Sequence, residues 1–348
     1  WIGQLRLDWD YRKDLATNPA YDKDAGIYTP RAASTPCACE QPHPMGATEW
    51  SGINQPITLT YRNGTEGMGN VLLRGFQLAD MLTSLGSPVP IRVQALENLY
   101  RAKPRGQIVI VLKTAVRLKS EPILRAFNRW GNTVLYDVVD GLVPARIESL
   151  CESYICSSLT EERDRRSRGY QTIVSLQSPD QRTPAHPFER REFSHAYYGL
   201  PENALHLDTL PELHPVNFSE MPPHRSPKPL PSALDGLRRY SHHYSVRAWN
   251  DRDGFKPMMK GFFAARLGAV VIASAEDEES RLILGDDYPY LAASSALEDV
   301  QAIIEYAQHT HLGPEWERAV ATMQELRQMS CPVKTAQDLV AGLRKLAH

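Results

Sequence analysis

From residue 57 onward the apolar positions of this chain follow two alternating rhythms. Short β-rich or continuous apolar runs alternate with stretches in which apolar residues fall three and four apart. "ITLTYR" (57–62) reads as a strand, followed by the glycine-rich loop "NGTEGMGN" (63–70). In "VLLRGFQLADMLTSLG", Leu72, Phe76, Ala79, Leu82 and Leu85 share one helical face, and Gly86 is a natural stop. "PIRVQAL" (90–96) reads as the next strand. "QIVIVLK" (107–113) is apolar almost throughout, as a strand buried on both faces requires. A helix over 119–130, a strand over 132–141, a short helix and strand, a charged helix around "EERDRRSRG" and a strand over 170–178 continue the alternation.

Residues 179–232 are rich in proline, the chemistry of linkers and turns. This stretch is expected to hold a helix near 187–199, a short strand at 204–207 and a domain boundary near 180–190. The alternation then resumes. A helix over 232–239 leads to a strand over 240–247. A helix begins near Pro257 and stops at Leu267-Gly268, and "AVVIAS" (269–274) is a buried strand. A short helix, an extended "YPYLAA" and the helix "ALEDVQAIIEYAQ" follow. Pro314 starts a helix with Trp316, Val320, Met323 and Leu326 on one face, and Thr335 with Asp338 marks the start of a last helix. Strands alternating with helices predict parallel sheets wound on both faces. The expected fold class is α/β with two Rossmann-like doubly wound domains facing a cleft. The expected limits are an irregular extension over 1–55, a first domain over 56–185, a second over 186–330 and a C-terminal helix over 331–348.

Composition narrows the function classes. The chain has 348 residues, 42% hydrophobic and 23% charged, enough for a core in each half. Lys and Arg total 39 against 41 Asp and Glu, a net charge of −2, which argues against a broad nucleic-acid surface. No apolar run reaches bilayer-spanning length, and no secretory signal is visible. The five cysteines, Cys37, Cys39, Cys151, Cys156 and Cys331, are odd in number and scattered, which fits a reducing compartment and a cytoplasmic location. Cys37, Cys39 and His43 lack a second ligand pair at zinc spacing and read as loop residues.

In open parallel sheets, ligands sit beyond the carboxyl ends of the strands, and that rule selects the candidate chemistry. Gly67, Gly69 and Asn70 follow the first strand of the first domain, where bare backbone can approach a ligand. The spacing matches neither the dinucleotide fingerprint nor the P-loop. Lys256 and Lys260 stand one helical turn apart at a helix start, adding positive charge where the dipole is already positive. That arrangement invites an anion, and Arg247 at the preceding strand end points to the same crevice. Three cations fit a diphosphate. Within "AEDEES", Glu276 or Glu279 could bond sugar hydroxyls, the rest serving as caps. Asp140, with Asp137 beside it at a strand end, and Glu66 in the glycine loop are candidate general bases. His242 and His243 face opposite sides of a strand, and His243 is the cleft-facing candidate.

"FKPMMKGFFAARLGAVVIASAEDEESRLILGDDYPYLA" resembles the donor-binding half of GT-B-fold glycosyltransferases, and "ALEDVQAIIEYA" and "PEWERAVATM" resemble the helices that close such chains. The motif-like part covers 240–310, the architecture 57–330. One departure is that "FKPMMK" stands where retaining families often carry a glutamate-rich loop. The resemblance implies a hexosyltransferase-type enzyme that moves a sugar from a nucleotide-sugar to a glycan or small-molecule acceptor. Lys256 and Lys260 match its phosphate-contacting helix start. No cofactor and no metal are expected, "DRD" (251–253) being the nearest match to a donor-metal motif. A lipid-linked acceptor would bring the chain to the inner face of a membrane. A two-domain binding protein without chemistry, and another nucleotide-sugar enzyme such as an epimerase, fit the same pattern. Release of free nucleotide with sugar transfer separates them.

Overall fold

The structure, a computed structural model, describes residues 21–22, 27–28, 44–183, 185–199, 201–210, 212–216, 236–248 and 255–347. Cys37, Cys39, His43 and the "DRD" triplet lie outside the described residues. The first sheet is built from β1 (Tyr21–Asp22), β2 (Ile27–Tyr28), β3 (Ile57–Tyr61), β4 (Ile91–Ala95), β5 (Ile108–Leu112), β6 (Thr133–Asp137), β7 (Ser153–Cys156) and β8 (Gln171–Val174). Its order is β1-β2-β4-β3-β5-β6-β7-β8, and every pairing from β4 onward is parallel. The second sheet holds β9 (His195–Tyr198), β10 (Leu213–Val216), β11 (His242–Tyr244), β12 (Val270–Ser274) and β13 (Leu291–Ala292) in the order β10-β9-β11-β12-β13. All of its pairings are parallel.

Helices cover both faces of the first sheet. The first, α1, runs through three consecutive segments, Gly69–Val71, a π-helical Leu72–Gln77 and Leu78–Ser84. It packs Phe76 and Leu82 against Leu59, Val93 and Ile110. On the opposite face α3 (Glu121–Arg129; α2 is Leu96–Ala102) packs Leu124 and Phe127 against Val109, Val111 and Tyr136. Two short helices follow, α4 (Ala145–Glu148) and α5 (Leu159–Ser167). Around the second sheet lie α6 (Met259–Leu267), α7 (Glu278–Leu284), α8 (Leu297–His309) and α9 (Pro314–Met329). The last helix, α10 (Pro332–Leu346), returns to the first sheet and adds Ala336, Leu339, Val340 and Leu343 to its core. The approach is close, because a Cβ on Gly342 would lie 2.2 Å from Ile173 Cγ2 on β8.

Several elements differ from the sequence expectation. The helix expected near 187–199 is instead β9, whose Tyr197 and Tyr198 are buried among aromatic neighbours; packing in the sheet overrides local preference. The strand expected at 204–207 reduces to one bridge, Ala204 to Arg247, after a 3₁₀ turn at Pro201–Asn203. Pro215 disguised β10, which tolerates it because β10 is an edge strand. The extension expected to be irregular carries β1 and β2, with β2 antiparallel to β4. The last helix starts at Pro332, capped by the Cys331 Sγ, which accepts the Lys334 N–H, rather than at Thr335.

The chain crosses between the sheets twice, after β8 and before α10, and one buried guanidinium joins the two crossings. Arg74, in the π-helical turn of α1, is 1% exposed. It donates to Asp137 Oδ2 at 2.9 Å, to the Leu176 carbonyl at 3.2 Å and to Ser175 Oγ at 3.3 Å. Ser175 Oγ donates to the Thr335 carbonyl at 3.0 Å, and Thr335 Oγ1 donates back to the Leu176 carbonyl at 3.1 Å. Gln77 extends the anchor through Nε2 to Asp180 Oδ1 at 2.9 Å. Burial raises the Asp137 carboxyl above its usual range, and Arg74 opposes that. Asp137, considered above beside Asp140, is therefore part of this anchor.

Replacing Arg74 with Met leaves a buried carboxyl without its counter-ion. It is expected to destabilise the fold by about 3–5 kcal/mol, read as a lower urea midpoint. His195, His242 and His243 are buried, and burial lowers all three, His243 to about 4. The unfolded chain takes up these protons near pH 6.5, whereas the fold resists. Stability is therefore full above that pH and falls as pH drops from about 6.5 toward 4. Thermal melting over this range is expected to show the fall, and His242→Phe, which keeps the ring against Phe193 and Tyr290, to make it shallower.

Candidate functional site

The carboxyl ends of the two sheets face each other across a cleft of about 360 Å³. Asn70, Leu73, Lys113, Val139 and Asp140 line it from the first domain. Asn203, Arg247, Ala248, Lys256, Pro257, Met259 and Lys260 line it from the second, and Gln177 from the crossover. The structure thus brings Asn70, Asp140, Arg247, Lys256 and Lys260 of the sequence candidates to one cavity.

The cationic wall has a local cause. β11 runs on through Ser245, whose N–H reaches the Ile272 carbonyl, and delivers Arg247 to the cleft. Lys256 lies in the segment before α6, and Lys260 lies in its first turn, because the helix begins at Met259 rather than at Pro257. The lysines therefore share a cavity wall, not a helix face. Lys260 Nζ stands 5.0 Å from the Tyr197 ring centroid. Among the described residues no carboxylate forms an ion pair with Lys260. Its pKa is held down to about 8 by burial first, then by Arg247 and Lys256, with Asp277 pulling the other way. Asp277 orients the wall: its Oδ2 accepts from Arg247 Nη2 at 3.4 Å and from Ser280 Oγ at 2.8 Å.

The opposite wall carries a carboxylate on a strained turn. Asp140 pairs with Lys113, which follows β5. Val139, just before it, has φ +56°, a conformation that costs a β-branched residue about 1–3 kcal/mol. The Val139 carbonyl accepts Ser157 Oγ at 3.2 Å, and Gly141 N–H closes the turn on the Val138 carbonyl at 2.8 Å. Gly141 also lies against Lys113, where a Cβ would come within 3.3 Å of Lys113 Cγ.

Other candidates are placed elsewhere. Glu66 Oε1 accepts the Gly64 N–H at 3.0 Å and so closes its own loop, and neither it nor Gly67 and Gly69 lines the cleft. Glu276 Oε2 accepts the Ser295 N–H at 2.9 Å. Glu279 reaches across to the first domain, taking the N–H groups of Leu159 at 3.0 Å and Thr160 at 2.8 Å at the start of α5. Burial raises its pKa although these bonds oppose the rise. It is a helix cap between domains, a role its position among four consecutive acids could not reveal. His243 is fully buried, with Nε2 3.3 Å from the Leu237 carbonyl and its ring against Tyr198, while His242 packs among Phe193, Tyr290 and His311. Neither faces the cleft, because aromatic rings cover both sides of β11. Lys113, Gln177, Asn203 and Asp277 were missed. The strand-end rule that selected Asp140 also selects Lys113, whereas nothing in the proline-rich crossover marks Gln177.

No family model matches the sequence, and no curated protein matches it. Solved structures do. The chain is similar to Anabaena HepE in complex with UDP, at 10% identity over 84% of this chain and 100% of that one, with a TM-score of 0.57. It is similar to the E. coli trehalose-6-phosphate protein bound with UDP-2-fluoro glucose, at 6% identity over 84% and 99%, TM-score 0.52. An α,α-trehalose-phosphate synthase (UDP-forming) from Burkholderia vietnamiensis aligns at 10% identity over 84% and 99%, TM-score 0.52. The fold is GT-B. The GT-B arrangement accounts for the two facing sheets and the cleft between their carboxyl ends. Among the described residues no helix is long and apolar enough to cross a membrane.

Because Lys260 is held down to about 8, an anion that binds beside it raises its pKa and draws in a proton. Affinity for an anion is therefore expected to be full below about pH 8 and to fall as pH rises past it. Calorimetry with sulfate, which does not titrate in this range, in buffers of different ionisation enthalpy is expected to show proton uptake at pH 8.5, little at pH 6.5, and none in Lys260→Met.

Proposed function

We propose that this protein is a glycosyltransferase that transfers a sugar from a nucleotide-sugar to an acceptor, with the diphosphate held by Arg247, Lys256 and Lys260. The observation that carries the reading is the convergence of these three cations on one wall of the interdomain cleft, where burial first and then their repulsion lower Lys260. Such a wall is complementary to concentrated negative charge. When the bond between the anomeric carbon and the phosphate oxygen breaks, its electron pair stays on the diphosphate, and fixed cations stabilise that charge where it develops. Lys260 at the start of α6 adds to the helix dipole in the same sense.

In this reading the acceptor, a glycan or small molecule, enters along the first domain, and Asp140 is the acid–base group. Its place in the cleft and its strained turn support that role. Lys113 holds the carboxylate in position. Glu66 is the weaker choice, because its carboxylate is engaged by its own loop. Two solved structures of the same fold hold UDP or a UDP-sugar analogue, which makes a uridine nucleotide the first donor to test.

Calorimetry with UDP, GDP, CDP and TDP tests the proposal directly. One of them is expected to bind the wild type. Removing two charge-assisted partners in Lys256→Ala/Lys260→Ala is expected to weaken it about 100-fold or more. Release of the free diphosphate from the matching nucleotide-sugar, faster with acceptor present, is the accompanying assay. If no nucleotide binds, or if the double variant binds as well as the wild type, the proposal fails.

A further inference from the structure

The cleft is lined by two amide side chains, each with one buried polar atom that has no hydrogen-bond partner among the described residues. Gln177 is 3% exposed and lines the cleft, and among the described residues its Oε1 has no hydrogen-bond partner. Asn70, near the start of α1, lines the same cleft, and its Nδ2 is also buried without a partner among the described residues. A buried polar group left unsatisfied costs more than an ordinary hydrogen bond contributes, so a ligand that supplies the missing partner gains from it.

Gln177 is not loosely held. Its N–H donates to the Ser157 carbonyl at 3.2 Å, and the preceding Leu176 carbonyl receives both Arg74 and Thr335. The backbone is thus pinned at the crossing between domains, and the side chain lines the cavity from a fixed point. Asn70 comes from the first domain, on the helix that also carries Arg74. Each amide carries a donor and an acceptor. Two such groups facing one cavity suit a partner that both donates and accepts, which is the property of a hydroxyl. A phosphate only accepts, so it would pair with the NH2 group of either amide and leave the amide oxygens without a donor.

We propose that Asn70 and Gln177 form a hydroxyl-reading subsite that binds the sugar of the nucleotide-sugar, beside the diphosphate wall. This inference rests on the nucleotide-sugar reading above and deepens it. The domain that supplies Asn70 and the crossover that supplies Gln177 then contribute to donor recognition, together with the second domain. Sugar hydroxyls are recognised where the two domains meet, so the sugar is read only when both sides of the cleft are in place.

The test compares each bare diphosphate with its glucose conjugate by calorimetry: UDP with UDP-glucose, GDP with GDP-glucose, CDP with CDP-glucose and TDP with TDP-glucose. Gln177→Leu and Asn70→Ala are measured beside the wild type. The second variant alters a half-exposed residue and is expected to fold even if the first does not. Each variant is expected to lose about three- to tenfold in affinity for the conjugate while binding the bare diphosphate within twofold of wild type. Equal losses for both ligands, no loss for either, or a wild type that binds the diphosphate but not the conjugate would overturn the subsite while leaving the diphosphate reading intact. If the wild type binds no diphosphate, the nucleotide-sugar reading fails first and the subsite with it.

Discussion

A guanidinium removed from water must have its N–H groups accepted by the protein, and Arg74 meets that demand with groups that otherwise belong to separate parts of the chain. Asp137 closes β6, Ser175 and Leu176 begin the first crossing, and Thr335 sits just inside α10, after the second. The consequence is geometric. Both connections between the domains pass through one hydrogen-bonded knot under the cleft, and the residue after Leu176 is Gln177, which lines it. The return of α10 to the first sheet, with Gly342 pressed on Ile173, fixes the second connection from the other side. The spacing between the two sheets, and hence the width of the cleft, depends on this junction.

Above the junction the two walls are electrostatically unlike. The second domain gathers cations and tolerates their repulsion, with Asp277 holding Arg247 and lessening the strain. The first domain offers a carboxylate paired with a lysine, mounted on a turn whose backbone is strained at Val139. Strain and like-charge crowding are both costs that packing elsewhere must offset. They occur on facing sides of the same cavity, whereas the glycine loop is closed on itself by Glu66 and lies outside it.

A second interdomain contact lies away from the cavity. Glu279 of the second domain takes the exposed N–H groups at the start of α5 in the first, and Arg163 of α5 reaches back to Glu278 at 2.6 Å. A helix terminus leaves its first N–H groups unsatisfied. Here the partner domain supplies the acceptor for Leu159 and Thr160, and the local cap Ser158 accepts the Glu161 N–H. The domains are therefore joined by polar contacts on both sides of the cleft, the buried knot at Arg74 and this partly exposed cap.

Periodicity alone determined most of the strands and helices from residue 57 onward, because a strand buried on both faces and a helix with one apolar stripe leave different marks on the sequence. It also placed Arg247 and Asp140 at strand ends, with Lys256 and Lys260 at the helix start in the same crevice, where open parallel sheets hold ligands. It failed where long-range contacts outweigh local preference. β9 reads as a helix until its tyrosines find the neighbouring strands, and β10 hides behind Pro215 because only the finished sheet makes it an edge. The same limit applies to the site. That Glu279 caps a helix 120 residues away, that His243 is covered by aromatic rings and that Gln177 enters the cleft are facts of tertiary contact. Side chains of one type in similar sequence settings were separated into cap, core and cavity only when the two domains came together, since burial and partners, not identity, decide what a polar group can do.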